Sequence, residues 1–168
     1  MVASSMRWTV WLALSAVIVV LDQLTKQWVS QSLVFGEVIA VMPSFNLVLA
    51  HNAGAAFSFL AGAGGWQRGF FIGIAVVAAV VIVYLLRKHH GEKLFSLALA
   101  LILGGALGNL IDRILLGHVV DFLDFYVQGT HWPAFNVADM AITGGAGLLI
   151  WDSFKKPEKT VRGEGWKM

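Results

Sequence analysis

Cysteine is absent from these 168 residues. That removes disulfides, thiolate metal sites and cysteine nucleophiles together. Charge is scarce: Asp, Glu, Lys and Arg make up 13% of the chain, where a soluble domain carries about 25%. Lys and Arg are missing altogether from two long stretches, 29–65 and 114–131. They gather instead at Arg87, Lys88 and Lys93 and in the tail at Lys155, Lys156, Lys159, Arg162 and Lys167. Basic residues so placed form no groove-facing surface. They exclude a nucleic-acid partner and read as topology signals.

What fills the chain is apolar. Hydrophobic residues are 58% of it, and four segments, about 8–28, 69–86, 94–113 and 132–151, approach the ~20 residues a bilayer core requires. Trp8, Trp11, Trp28, Trp66, Trp132 and Trp151 fall near their ends, as an interfacial aromatic belt would. Arg7 before the first run imitates a secretory signal. No small-x-small cleavage site follows, however, and Asp22-Gln23-Leu24-Thr25-Lys26 does, so the segment reads as a retained span.

The expected fold is therefore an all-α membrane protein, a single integral domain over residues 1–168 with four transmembrane helices and a tail at 155–168. The positive-inside rule places both termini in the cytoplasm and both cation-free loops outside. Alternation of apolar and polar residues around Val38–Leu49, broken by Pro43, reads as short strands. This forecasts a small extracytoplasmic β-sheet or loop region between the first two helices. Ala61-Gly62-Ala63-Gly64-Gly65 reads as a flexible turn.

On this topology Asp22, Asp112, Asp121 and Asp139 all converge on the outer leaflet, with Asp139 expected about two turns, ~10 Å, into the fourth helix. A carboxylate in hydrocarbon is costly unless paired or neutralised, so such acids mark function by default. Asp22 and Lys26, four apart, share a helix face and neutralise each other. Arg113 beside Asp112 reads as a second ion pair. Asn109 stands close by, and Gly104, Gly105 and Gly108 offer close helix contact. Asn136, Asp139 and Thr143 make a polar stripe at i, i+3 and i+7, with Gly144, Gly145 and Gly147 for packing below.

Asp121 and Asp139 have no cation near in sequence, which makes them candidates to share a proton. Asp124 is expected to face solvent. His118 and His131 fit no compact ligand spacing, so no metal is expected. His51, beside Asn52, has no assigned role, and His89 and His90 read as solvated. Intramembrane acids also serve as helix–helix anchors or as relays in proton-coupled transporters. A relay needs acids at several depths, whereas the cytoplasmic half of every span here is apolar.

Five blocks carry a resemblance: Asp22-Gln23-Leu24-Thr25-Lys26, Asn52-Ala53-Gly54-Ala55-Ala56-Phe57, Gly108-Asn109-Leu110-Ile111-Asp112-Arg113, Val119-Val120-Asp121-Phe122 and Phe135-Asn136-Val137-Ala138-Asp139. In order, over essentially the whole chain, they resemble lipoprotein signal peptidase, also called signal peptidase II. The resemblance implies a bacterial inner-membrane aspartic endopeptidase that removes signal peptides from diacylglyceryl-modified prolipoproteins, cutting before the lipidated cysteine. It implies a catalytic dyad at Asp121 and Asp139. Asn52, Gly54, Asn109, Arg113 and Asn136 would line the site, and Asp22 and Lys26 would support it, with Asp112 alongside. It further implies no cofactor, a monomer contacting substrate and membrane lipids, and a half-helix over 57–66 closing above the substrate.

Overall fold

The computed structural model describes residues 7–54 and 65–155. The expected half-helix, apart from Gly65 and Trp66, and the tail beyond Lys155 lie outside the described residues. So does most of the Gly-rich turn.

Four helices and two excursions between them make up the described residues. Helix α1 spans Trp8–Ser32, α2 Trp66–His89, α3 Lys93–Leu115 and α4 Val137–Lys155. Three of them, α1, α2 and α3, are long and apolar enough to cross a membrane. In α4 three glycines, Thr143 and Asp139 dilute the apolar run. Val17, Val20 and Leu24 of α1 and Ile74, Val77, Val80 and Val81 of α2 point outward, exposed. A surface of this kind is a liability in water and the expected one against lipid.

Helix α3 is the hub, packing against each of the other helices. Its small residues explain why. Side-chain Cβ atoms placed at Gly104 and Gly108 would meet Ile18 at 2.7 Å and Asp22 at 2.5 Å, and one at Gly105 would run into the Ala138 carbonyl. Gly145 answers from α4, where a Cβ would lie 2.7 Å from the Ala98 carbonyl. Gly144 and Gly147, expected to pack likewise, instead have open space around them.

This difference gives a direct test. Gly105→Ala should lower the Tm in detergent, since overpacking costs about 1–3 kcal/mol. Gly147→Ala should leave it unchanged. Equal melting of the two variants would mean that α3 and α4 can part without cost.

The sheet differs from expectation in its origin. Strands β1 (Val38–Met42) and β2 (Phe45–Asn52) come from the first excursion as anticipated. Strands β3 (Val119–Val127) and β4 (Thr130–His131) come from the second, outside the region between the first two helices where the sheet is expected. All pair antiparallel in the order β1-β2-β3-β4. The Val119–Val127 run is rich in β-branched and aromatic residues, the composition of a half-buried strand. Asp121 and Asp124 interrupt its apolar pattern and disguise it.

Alternation then sorts the faces of β3. Val120 and Phe122 pack with Val29, Leu33 and Leu49 into a core that seats the sheet on the end of α1. Asp121, Leu123 and Phe125 take the opposite face. A separate core of Trp11, Ile82, Leu86, Leu99 and Leu103 holds the other end of the bundle.

Candidate active site

Asn136 is the residue on which the site turns. It stands immediately before α4, where its side-chain oxygen accepts the Asp139 N–H at 2.9 Å. In return the Asp139 carboxylate accepts the Asn136 N–H at 3.3 Å. This is a reciprocal cap of the helix's unpaired donors. The Asn136 Nδ2 meanwhile donates to Asp121 at 2.7 Å and to the Val120 carbonyl at 3.2 Å. One asparagine therefore joins β3 to α4 and binds both candidate acids.

Asp139 consequently sits in the first turn of α4. The expected two turns of depth assumed a helix beginning at Trp132. Residues 132–134 are instead irregular and Phe135 forms a bridge to β3: the Leu123 and Phe135 backbones bond each other, with the Leu123 N–H donating to the Phe135 carbonyl at 2.9 Å. A carboxylate in a first helical turn lies at the positive end of the helix dipole.

Each acid has further donors. Asn52 Nδ2 donates to Asp121 at 3.1 Å, and Asn109 Nδ2 to Asp139 at 2.8 Å. The Asn52 side-chain oxygen in turn accepts the Gly54 N–H at 2.9 Å. Gly54 has φ +117°, and a Cβ there would meet the Phe71 ring at 2.5 Å. Only glycine suits both its conformation and its space. Burial, and then the charge of Asp139, push the Asp121 carboxyl up to about 7 against the opposing hydrogen bonds of Asn52 and Asn136.

Behind the acids lies a buried ion cluster. Lys26 Nζ reaches Asp22 at 2.8 Å, Asp112 at 2.9 Å and the Asn109 side-chain oxygen at 2.8 Å. The Asp22–Lys26 pair is as expected. The Asp112–Arg113 pair is not: Asp112 is partnered by Lys26, Gln23 and the Val120 N–H. Neighbours in a helical sequence point about 100° apart, so Arg113 faces elsewhere. Its guanidinium lies 5.0 Å over the Phe71 ring and donates to the Asn109 carbonyl. Asp22 has a second task, accepting the Ala138 N–H of α4 at 2.9 Å.

Lys26 thus neutralises two carboxylates and holds Asn109 against Asp139. Lys26→Met should strand Asp22 and Asp112 without their cation, at a cost of about 3–5 kcal/mol. Thermal unfolding in detergent reads this out. Adding Asp112→Asn should restore part of the loss. A single variant as stable as wild type would show the cluster to be hydrated.

Asp139 borders a cavity of about 1070 Å³ whose lining also includes Asn52, Gly54, Phe71, Arg113 and Thr143. Leu123 and Phe125, on the Asp121 face of β3, continue its wall, and Asp121 itself is 3% exposed. Phe45, Trp132, Phe135 and Met140 give it an apolar, aromatic character.

Asp124 departs from expectation. It is buried, accepting Asn46 Nδ2 at 2.7 Å and facing His131 Nδ1 at 2.9 Å. Register places Asn46 directly opposite it on β2. His51 and His118 stack at 3.9 Å, and burial followed by the His118 charge lowers the His51 pKa. Sequence reasoning also passed over Gln23 and Phe71. A glutamine between two charged residues of a span was an available signal; nothing local marked Phe71.

Fold and site together define a helical membrane protein with two amide-bound carboxylates joined through Asn136, one of which lines an apolar cavity. A family model described as signal peptidase (SPase) II matches residues 14–155, so the chain belongs to the signal peptidase II family. A lipoprotein signal peptidase of Ralstonia nicotianae is 60% identical over 146 residues, covering 87% of this chain and 84% of the relative. One from a Janthinobacterium species is 57% identical over 149 residues, covering 89% and 90%. A bacterial membrane enzyme structure determined by the in meso method at 2.3 Å superposes with TM-score 0.80 and 31% identity, covering 94% of each chain. A second such structure gives TM-score 0.77 at 33% identity, covering 88% of this chain and 94% of the other.

Proposed function

We propose that this peptidase is an intramembrane aspartic endopeptidase that removes the signal peptide from diacylglyceryl-modified prolipoproteins, cutting before the lipidated cysteine. The observation that carries the reading is the Asn136 bridge: it binds both Asp121 and Asp139, and Asp139 lines an apolar cavity. The names of the relatives support the substrate class.

Two carboxylates so close in a low dielectric hold one proton between them. We assign the proton to Asp121, which is buried and held by the side-chain amides of Asn52 and Asn136. The charge goes to Asp139, favoured by the first turn of α4. Asp139 takes a proton from water as its oxygen attacks the scissile carbonyl, while Asp121 donates a hydrogen bond to the carbonyl oxygen. Collapse of the tetrahedral intermediate breaks the C–N bond. The proton gained by Asp139 passes to the leaving amine, which becomes the free N-terminus of the cysteine. Asn52, Gly54, Asn109, Arg113 and Asn136 position these groups, and Asp22, Lys26 and Asp112 support them from behind. The chemistry requires neither metal nor organic cofactor.

In this reading α4 is a fourth span, its polar first turn kept from lipid by α3 and the sheet. The basic Arg87–Lys93 turn and both termini are cytoplasmic, and the sheet and cavity lie at the outer leaflet of the bacterial inner membrane. The enzyme works as a monomer, its substrate's acyl chains remaining in the bilayer.

The test is cleavage of a diacylglyceryl prolipoprotein peptide by purified protein in detergent, with the product mass-mapped. A new N-terminus at the lipidated cysteine is expected. Cleavage elsewhere, or none by folded protein, would overturn the assignment.

A further inference from the structure

A second cavity, of about 810 Å³, opens between α1 and α2, mostly in the half of the bundle remote from the sheet. Leu12, Ala16, Val80 and Tyr84 form its walls and Leu103 of α3 its floor. Ser15 turns its hydroxyl inward to the Ala100 carbonyl at 2.9 Å, which leaves the trough apolar. At its far end stands Arg87, exposed, with its guanidinium 4.6 Å over the Trp8 ring. Lys88 is exposed beside it.

We propose that this groove is a binding site for an anionic glycerophospholipid, one acyl chain lying in the trough and the phosphate at Arg87. Three observations converge on that occupant. The α1 wall from Leu12 to Val20 runs about 12 Å along the helix axis, with Arg87 over Trp8 a turn beyond it, an elongated shape that suits an acyl chain with a headgroup at one end. The volume falls within the range of about 300–1,000 Å³ typical of small-molecule sites. Between membrane-exposed helix faces, a trough of that size is filled by something apolar, because a void forfeits its dispersion contacts.

Selectivity then comes from the charged end. A lipid tail is as apolar in the bilayer as in the groove, so exchanging one chain for another gains little. Arg87 differs: its planar guanidinium matches phosphate oxygens bidentately, and Trp8 beneath it fixes the plane. A net negative headgroup keeps that attraction, and a zwitterionic one offsets it with its own cation. The site is separate from the acid-bordered cavity and does not depend on the proteolytic reading.

Native mass spectrometry of the full chain, titrated with phosphatidylglycerol or phosphatidylcholine of identical acyl chains, tests the proposal. Wild type should hold phosphatidylglycerol about tenfold more tightly, the scale of one charge-assisted contact. Arg87→Gln should remove that preference, and Ala16→Phe, which fills the trough, should weaken both lipids. Unchanged preference in Arg87→Gln, or unchanged affinity in a folded Ala16→Phe variant, overturns it. Displacement of the bound lipid by inorganic phosphate at equal concentration also overturns it in favour of a plain anion site. A dimer that Ala16→Phe dissociates would assign the groove to a second copy of the chain instead.

Discussion

Asp121→Asn and Asp139→Asn are each expected to lower kcat/KM for a diacylglyceryl prolipoprotein peptide by about 10²–10⁴-fold, the range of a lost general acid or base. Asparagine keeps the shape but only one of the two accepting oxygens, so each variant loses one hydrogen bond, worth about 0.5–1.5 kcal/mol, and Tm should change far less than rate. The double variant should be scarcely worse than either single one, because the two groups act as a unit. The pH profile supplies a second readout. Asp121 holds its proton up to about 7, so the singly protonated pair is present below that pH and lost above it. The rate should therefore fall as pH rises through about 7, an alkaline limb set by the dyad. Near-normal turnover by either folded variant would remove that residue from the mechanism. Asp124→Asn serves as the contrast: it loosens the contacts of that residue with Asn46 and His131 and should keep most activity.

Removing the diacylglyceryl group from the peptide should produce the second large effect. The cavity beside Asp139 is apolar and aromatic, lined by Phe45, Phe71, Phe135 and Met140. It holds few polar groups that could orient a peptide by itself. Lipid anchored in the bilayer would supply that orientation, which is worth up to roughly 7–11 kcal/mol of a barrier. The measurement is kcat/KM for one peptide with and without its lipid, at matched detergent concentration. A fall of several powers of ten is expected. Equal values would identify a soluble peptide as the true substrate and leave the apolar lining without a purpose.

The sequence by itself determined the solvent, and through it much of the candidate site. Long apolar runs fit only a chain that meets lipid, and α1, α2 and α3 formed near their expected ends. The acids stood out because charge is so rare here, and Asp22–Lys26 was readable from a spacing of four. Asp121 and Asp139 were singled out because neither had a cation nearby in sequence. The structure brings them to one asparagine.

Tertiary structure decided what local spacing cannot carry. That Lys26 would reach across to Asp112, leaving Arg113 for Phe71, depends on how α1 is rotated against α3. Gly104 and Gly108 set that rotation by admitting Ile18 and Asp22. That the sheet would recruit β3 depends on strand register, which joins residues some seventy positions apart, such as Ala50 and Asp121. The same register buries Asp124 opposite Asn46. Asn136 also became a cap only because Phe135 was held extended against Leu123, delaying the start of α4. Periodicity reports which face a residue occupies, but not which other element will cover it.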